Sequence, residues 1–161
     1  EKELSDVFFY YGDFKDSKKI AKQIFNKRNE KEIISTYDLI AALEGLFSEK
    51  NKNKYLARIF QAIRIEVNDE INSLKKLLND ATKLLKSEGR LVVISYHSLE
   101  DRLVKNLINK GSIDGKSNQD FFGKVTKIYT PINKRVIIPN DEESKKNKRS
   151  RSAKLRIAEK I

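Results

Sequence analysis

The sequence predicts an α/β protein whose first part is helical. Two observations carry this: helix-period apolar stripes run through the first half of the chain, and an uninterrupted apolar run, Leu91-Val92-Val93-Ile94, then appears between Arg90 and Ser95. A further helix-period stripe follows directly. Helix, short β-branched run, helix is the order expected of α/β architecture. The run is too short for a helix and has no polar alternation, so it reads as an interior strand covered on both faces, as in a parallel sheet.

The elements follow in order. Ile20, Ala21, Ile24 and Phe25 make one stripe, opposed by Lys18, Lys19, Lys22 and Lys27. Ser35 with Asp38 resembles an N-cap with a shortened capping box, opening a helix through Leu39, Ile40, Ala42, Leu43, Leu46 and Phe47. The polar stretch from Ser48 to Lys54 reads as a loop, which sets a helical domain over residues 1–57 apart from an α/β domain over residues 58–161. A long helix starts near Tyr55, with a break expected around Asn68. Its stripe runs Ile59, Ile63, Val67, then Ile71, Leu74, Leu78, Ala81 and Leu85, and Gly89 is placed as the left-handed stop. After the buried strand, Ser98 and Asp101 are expected to cap a helix carrying Leu99, Leu103, Val104, Leu107 and Ile108. Past a polar loop, Phe122 to Thr130 and Ile132 to Ile138 read as strands interrupted at Pro131. An exposed loop then leads to a last strand, Ser152 to Ile157, where Ala153, Leu155 and Ile157 alternate with Lys154 and Arg156 as an inner and a wet face.

Composition narrows the function. The formal net charge is +11 and the pI about 9.7. That balance suits a polyanionic partner, because each cation that neutralises a phosphate releases a condensed counterion. A lysine-rich surface kept for solubility is the alternative. The chain has no cysteine, which excludes disulfides and thiolate chemistry. Its single histidine, His97, leaves a zinc site resting on carboxylates, so no metal is expected. No stretch approaches the roughly 20 apolar residues of a membrane span, and a soluble protein is expected. Glu1 stands first and methionine is absent, as in a processed or truncated product. No glycine-rich turn that would cradle a nucleotide or adenosyl cofactor is present, so this chain alone is not expected to catalyse.

Three constellations could carry function. Ser95-Tyr96-His97-Ser98-Leu99-Glu100-Asp101-Arg102 leaves the carboxyl end of the predicted strand, where open α/β sheets place ligands. There Tyr96 could stack on a base and His97 exchange a hydrogen bond with it. Capping accounts adequately for Ser98 and Asp101, and a surface pair with Glu100 or Asp101 is the alternative to a functional role for Arg102. Arg58, Gln61, Arg64 and Asn68 share one face of a continuous helix and could fork onto phosphates or base edges, although an ordinary solvated face or a domain seam would look the same. The third is the densest cationic run, including Arg149, Arg151 and Lys154. It lacks interleaved aromatics and suits phosphate contact.

These residues also carry a family resemblance. The segment from Arg58 to Glu70 is similar to an "R-x-F-Q-A-x-R-x-x-V-N-x-E" signature. Gly89 to Arg102 is similar to "GGRL-x-x-IS-F-HSLEDR", with Glu88 for the first glycine and Tyr96 for phenylalanine. Arg149 to Arg156 is similar to a closing "R-x-RSAKLR". Together these blocks resemble the ribosomal RNA small-subunit methyltransferase H family. The resemblance implies the C-terminal half of a Rossmann-like class I methyltransferase sheet, preceded by a small helical inserted domain that binds RNA. It implies a cytoplasmic, bacterial enzyme that uses S-adenosylmethionine to methylate N4 of a cytosine in the decoding region of 16S ribosomal RNA. The cofactor-binding motifs of the family have no counterpart here. By the same analogy Tyr96 and His97 would rim the active site, while Arg58, Gln61, Arg64, Asn68, Arg102, Arg149, Arg151 and Lys154 would hold RNA. The competing readings are a non-catalytic RNA-binding module and a DNA amino-methyltransferase, whose proline-rich base-clamping motif is not found.

Overall fold

The structure is a computed structural model that describes residues 1–116, 127–133 and 135–161. The chain divides into two compact units, Glu1–Glu70 and Ile71–Ile161. The division falls later than the expected boundary at residue 57 because Ile59 and Ala62 pack into the first unit's core with Phe8, Phe14, Ile20, Ile24 and Leu43. A helix whose buried face belongs to that core cannot be assigned to the following domain.

The first unit is all helix: α1 (Lys2–Tyr10), α2 (Ser17–Glu30), α3 (Thr36–Ala42) and α4 (Lys52–Val67). The α2 stripe is as expected, with Ile20, Ala21 and Ile24 buried. So is the α3 cap, where the Ser35 hydroxyl accepts from the Asp38 N–H and Asp38 accepts from the Ser35 N–H. The face of α4 is different. Ile59, Ala62 and Ile65 are buried, whereas Val67 is exposed. The expected break is present at Asn68–Asp69, where Asp69 takes φ 49°, a left-handed conformation that aspartate tolerates better than most residues.

A tight loop joins α1 to α2. At Gly12 an added Cβ would stand 2.6 Å from the Phe14 ring and 2.8 Å from the Phe8 carbonyl oxygen, so only glycine fits.

The second unit packs α5 (Glu70–Leu84) and α6 (Ser98–Lys110) on a sheet of β1 (Arg90–Ser95), β2 (Tyr129–Pro131) and β3 (Lys154–Lys160). Between β2 and β3 lie a short helix α7 (Asp141–Lys146) and a 3₁₀ turn, Ser150–Ser152. Leu78, Leu91, Val104, Leu107, Ile108, Ile113, Tyr129 and Ala158 form the core. The protein is thus α/β, as expected, but the sheet is antiparallel, in the order β1-β3-β2.

That order corrects the reading of the apolar run. Leu91–Ile94 is a strand, yet among the described residues it lies at a sheet edge and is covered on one face only. Val92 and Ile94 are 56% and 55% exposed. Directly paired residues share a face of the sheet, so the pairing of Val92 with Ile157 and Ile94 with Leu155 puts all four on the open side. The last strand is consequently inverted relative to expectation. Arg156 and Ala158 face the helices with Val93 and Leu91, while Leu155 and Ile157 face away. Burying a charged residue inside is possible here because a carboxylate meets it, as described below.

Smaller corrections follow the same logic. The left-handed residue after α5 is Glu88, with φ 65°, and not Gly89. The α5 carbonyl ends are satisfied instead by Lys160, whose ammonium donates to Thr82 and Leu85 at 2.7 Å each. Pro131 lies within β2 rather than between strands, which an edge strand permits. Of the predicted strand from Phe122 to Thr130, residues 122–126 lie outside the described residues. Ile137 forms an isolated bridge to Leu155.

Candidate nucleic-acid interface

Two of the three sequence blocks meet at one end of the second unit's sheet. Ser95 ends β1 opposite Lys154, which begins β3, and the Ser95 hydroxyl lies 3.4 Å from the Lys154 carbonyl oxygen. Tyr96 and His97 therefore leave the sheet where Arg149, Arg151 and the 3₁₀ turn enter it. A bidentate ion pair locks the two blocks together. Arg156 donates to the Asp101 carboxylate at 2.7 and 3.2 Å, and Lys154 approaches the same carboxylate at 3.5 Å. Burial pushes the Asp101 carboxyl up, but the bonds and charges of Arg156 and Lys154 outweigh it and hold the group below the usual carboxylate range.

The helix cap at this end is not the expected one. The N-cap of α6 is His97, one residue earlier than Ser98, and its partner is Glu100, not Asp101. His97 Nδ1 accepts from the Glu100 N–H at 3.4 Å, and Glu100 Oε2 accepts from the His97 N–H at 3.3 Å. An accepting Nδ1 assigns the proton of the neutral ring to Nε2, which lies 3.4 Å from Glu100 Oε1. The His97 side chain is largely buried in this arrangement. Tyr96 is different, with 55% of its surface exposed.

The cations sort into committed and uncommitted groups. Arg156 and Lys154 serve Asp101. Arg102, Arg149 and Arg151 are exposed, and among the described residues their guanidinium groups pair with no acid. The same end of the sheet thus carries an open aromatic ring and unneutralised arginines, residue types suited to stacking and to phosphate contact.

The remaining block lies in the first unit, and most of its polar face is spoken for. Arg58 Nε donates to the Gly12 carbonyl at 2.9 Å, a second nitrogen donates to the Asp13 carbonyl, and its guanidinium carbon sits 4.2 Å from the Phe14 ring centroid. This arginine holds the α1–α2 loop. Arg64 makes a bidentate contact to Glu70 at 2.7 and 3.2 Å, and the Asn68 amide lies 3.4 Å from the same carboxylate. Gln61 is half-buried. On the face that suggested RNA contact, Arg64 and Asn68 meet one acid and Arg58 turns onto its own domain.

Sequence reasoning missed Glu100 and the Asp101–Arg156 pair. Glu100 does stand three residues after His97, the capping-box spacing, but histidine is an unusual N-cap beside an available serine. The ion pair spans 55 positions and has no local signal.

Among the described residues, no helix is long and apolar enough to cross a membrane. Comparison with known proteins completes the picture. A ribosomal RNA small subunit methyltransferase H from Phocaeicola vulgatus is 50% identical over 160 residues, covering 99% of this chain and 53% of the relative. The corresponding protein of Parabacteroides distasonis is 49% identical, covering 98% of this chain and 52% of the relative. That of Flavobacterium johnsoniae is 48% identical, covering 100% of this chain and 53% of the relative. The chain spans about half the length of these curated relatives. The model of the MraW methylase family matches residues 1–161, and the chain therefore belongs to that family.

Proposed function

We propose that residues 1–161 form the RNA-holding half of an S-adenosylmethionine-dependent methyltransferase that acts on N4 of a cytosine in the decoding region of 16S ribosomal RNA. The observation that carries this reading is the end of the sheet where β1 stops and β3 begins, whose flanking segments carry the exposed Tyr96 ring and the uncommitted Arg102, Arg149 and Arg151. The names of the relatives supply the substrate class.

On this reading the described residues do not build an adenosyl cofactor site. Glu100 is engaged by backbone N–H groups and Asp101 by Arg156, so neither is free to receive a ribose. The local charge is cationic, which opposes a sulfonium ion. On this reading the cofactor is held by polypeptide corresponding to the other half of the relatives' length. The open face of Val92, Ile94, Leu155 and Ile157 and the unpaired edge of β1 offer that polypeptide a surface, in keeping with half of a Rossmann-like sheet.

The residues of this chain then do two things. Arginines at the sheet end neutralise phosphates, and Tyr96 offers its ring to an unstacked base, which fixes the strand for reaction. S-adenosylmethionine would supply the electrophilic methyl group when bound.

The test has two arms. RNA affinity of residues 1–161 is measured as a function of salt, with Arg149→Ala/Arg151→Ala alongside. The double variant should reduce the log–log salt slope by roughly 1.5, and an unchanged slope would remove these arginines from the interface. Calorimetry with S-adenosylmethionine, together with methyl transfer to 16S ribosomal RNA, should show neither binding nor turnover by this chain alone. Transfer by residues 1–161 would overturn the division of labour.

A further inference from the structure

We infer that Glu100 is a positioning residue, which aims Tyr96 outward by holding its backbone while His97 turns inward as the helix cap. The inference rests on the proposal that this end of the sheet meets RNA.

The geometry departs from an ordinary capping box in one respect. Such a box is complete when the N3 carboxylate accepts from the N-cap N–H. Here Glu100 Oε2 accepts that bond from His97 at 3.3 Å, and it also accepts from the Tyr96 N–H at 2.8 Å, the shorter of the two. Tyr96 lies outside the helix, so the extra bond adds nothing to helix capping. What it does is fix the backbone of the residue whose ring is exposed. With Glu100 Oε1 3.4 Å from His97 Nε2, and the Glu100 N–H on His97 Nδ1, both residues preceding the helix are tied to one side chain. Among the described residues the Tyr96 ring makes no ring–ring or cation–π contact that would set its direction. Its backbone, by contrast, is held by Glu100. A stacking platform held in place before binding loses less conformational entropy when the base arrives.

The experiment uses residues 1–161 and a fluorescently labelled single-stranded RNA oligonucleotide read by anisotropy, with thermal melts in parallel. Tyr96→Ala should weaken binding by about fivefold or more, the loss of one base stack. Glu100→Ala should weaken it comparably, and the double variant should be no weaker than either single one. Glu100→Gln should retain most of the affinity, because its amide oxygen can accept the same two N–H bonds. A purely structural glutamate would lower the melting temperature and add its effect to that of Tyr96→Ala. If Tyr96→Ala leaves binding unchanged, the RNA-facing reading itself falls. If Tyr96→Ala weakens binding but the two effects multiply, or Glu100→Gln fails to rescue, only the positioning role falls. Should Glu100→Ala fail to fold, Glu100→Asp takes its place, because its shorter side chain cannot reach both N–H groups and should weaken binding where Glu100→Gln does not.

Discussion

The Asp101–Arg156 pair is the clearest place to test how the second unit is held together. Asparagine at position 101 keeps the shape and removes the charge, leaving the Arg156 guanidinium facing the helices without its acid. Breaking a buried pair from one side costs about 3–5 kcal/mol. Arg156 is 17% exposed and Lys154 39%, so water offsets part of that loss. Asp101→Asn should therefore cost about 2–3 kcal/mol at neutral pH, or roughly 5–10 °C in melting temperature for a chain of this size. Urea titration followed by far-ultraviolet circular dichroism reads it directly. The companion variant Asp101→Asn/Arg156→Met leaves no orphaned charge and should recover part of the loss. Because the folded Asp101 carboxyl lies below its ordinary value, its contribution is present above about pH 4 and fades as pH falls through the depressed folded value. The wild-type chain should lose stability across that acid range more steeply than Asp101→Asn. A single variant within about 0.5 kcal/mol of wild type, the ordinary range for a surface substitution, would refute the argument.

Other expectations concern single positions. Glu88→Gly should stabilise by about 1 kcal/mol in urea titration, because glycine adopts the φ 65° of that residue without strain. The Tyr55 hydroxyl is buried without a hydrogen-bond partner among the described residues, and burial, with the Asp16 charge second, pushes its pKa up to about 12. Tyr55→Phe should thus be neutral or stabilising by up to about 1 kcal/mol, and a loss of stability would mean the hydroxyl has an unseen partner. Arg58→Lys should destabilise the first unit by about 1–2 kcal/mol in thermal melts, since a lysine cannot reach both carbonyls while lying over Phe14.

What the sequence made legible was local. The stripe of α2, the Ser35–Asp38 cap and the break at Asn68 all depend on neighbours within one or two turns, and the structure places them as read. What it concealed was tertiary. Nothing in Leu91–Ile94 distinguishes a strand covered twice from an edge strand with one bare face, because both are uninterrupted apolar runs. The alternation in Lys154–Ile157 gave the right period and the wrong side, since hydrophobicity alone decides which face turns inward unless a distant acid, here Asp101, receives the charges. The same blindness affected the Arg58 helix. Its spacing was read correctly, but its partners, the Gly12 carbonyl and Glu70, are matters of packing.

The order β1-β3-β2 also constrains how the second unit is made. The central strand is the last of the three in sequence, and among the described residues β1 and β2 each pair with it and not with each other. During synthesis the run Leu91–Ile94 must emerge, and wait, before β3 exists to pair with it. Such long-range pairing folds slowly. In that interval an unpaired apolar segment hangs from the ribosome, the species most prone to misassociation and most dependent on chaperones. The lysine- and arginine-rich segment that arrives just before β3 adds to the charge that keeps the nascent unit in solution.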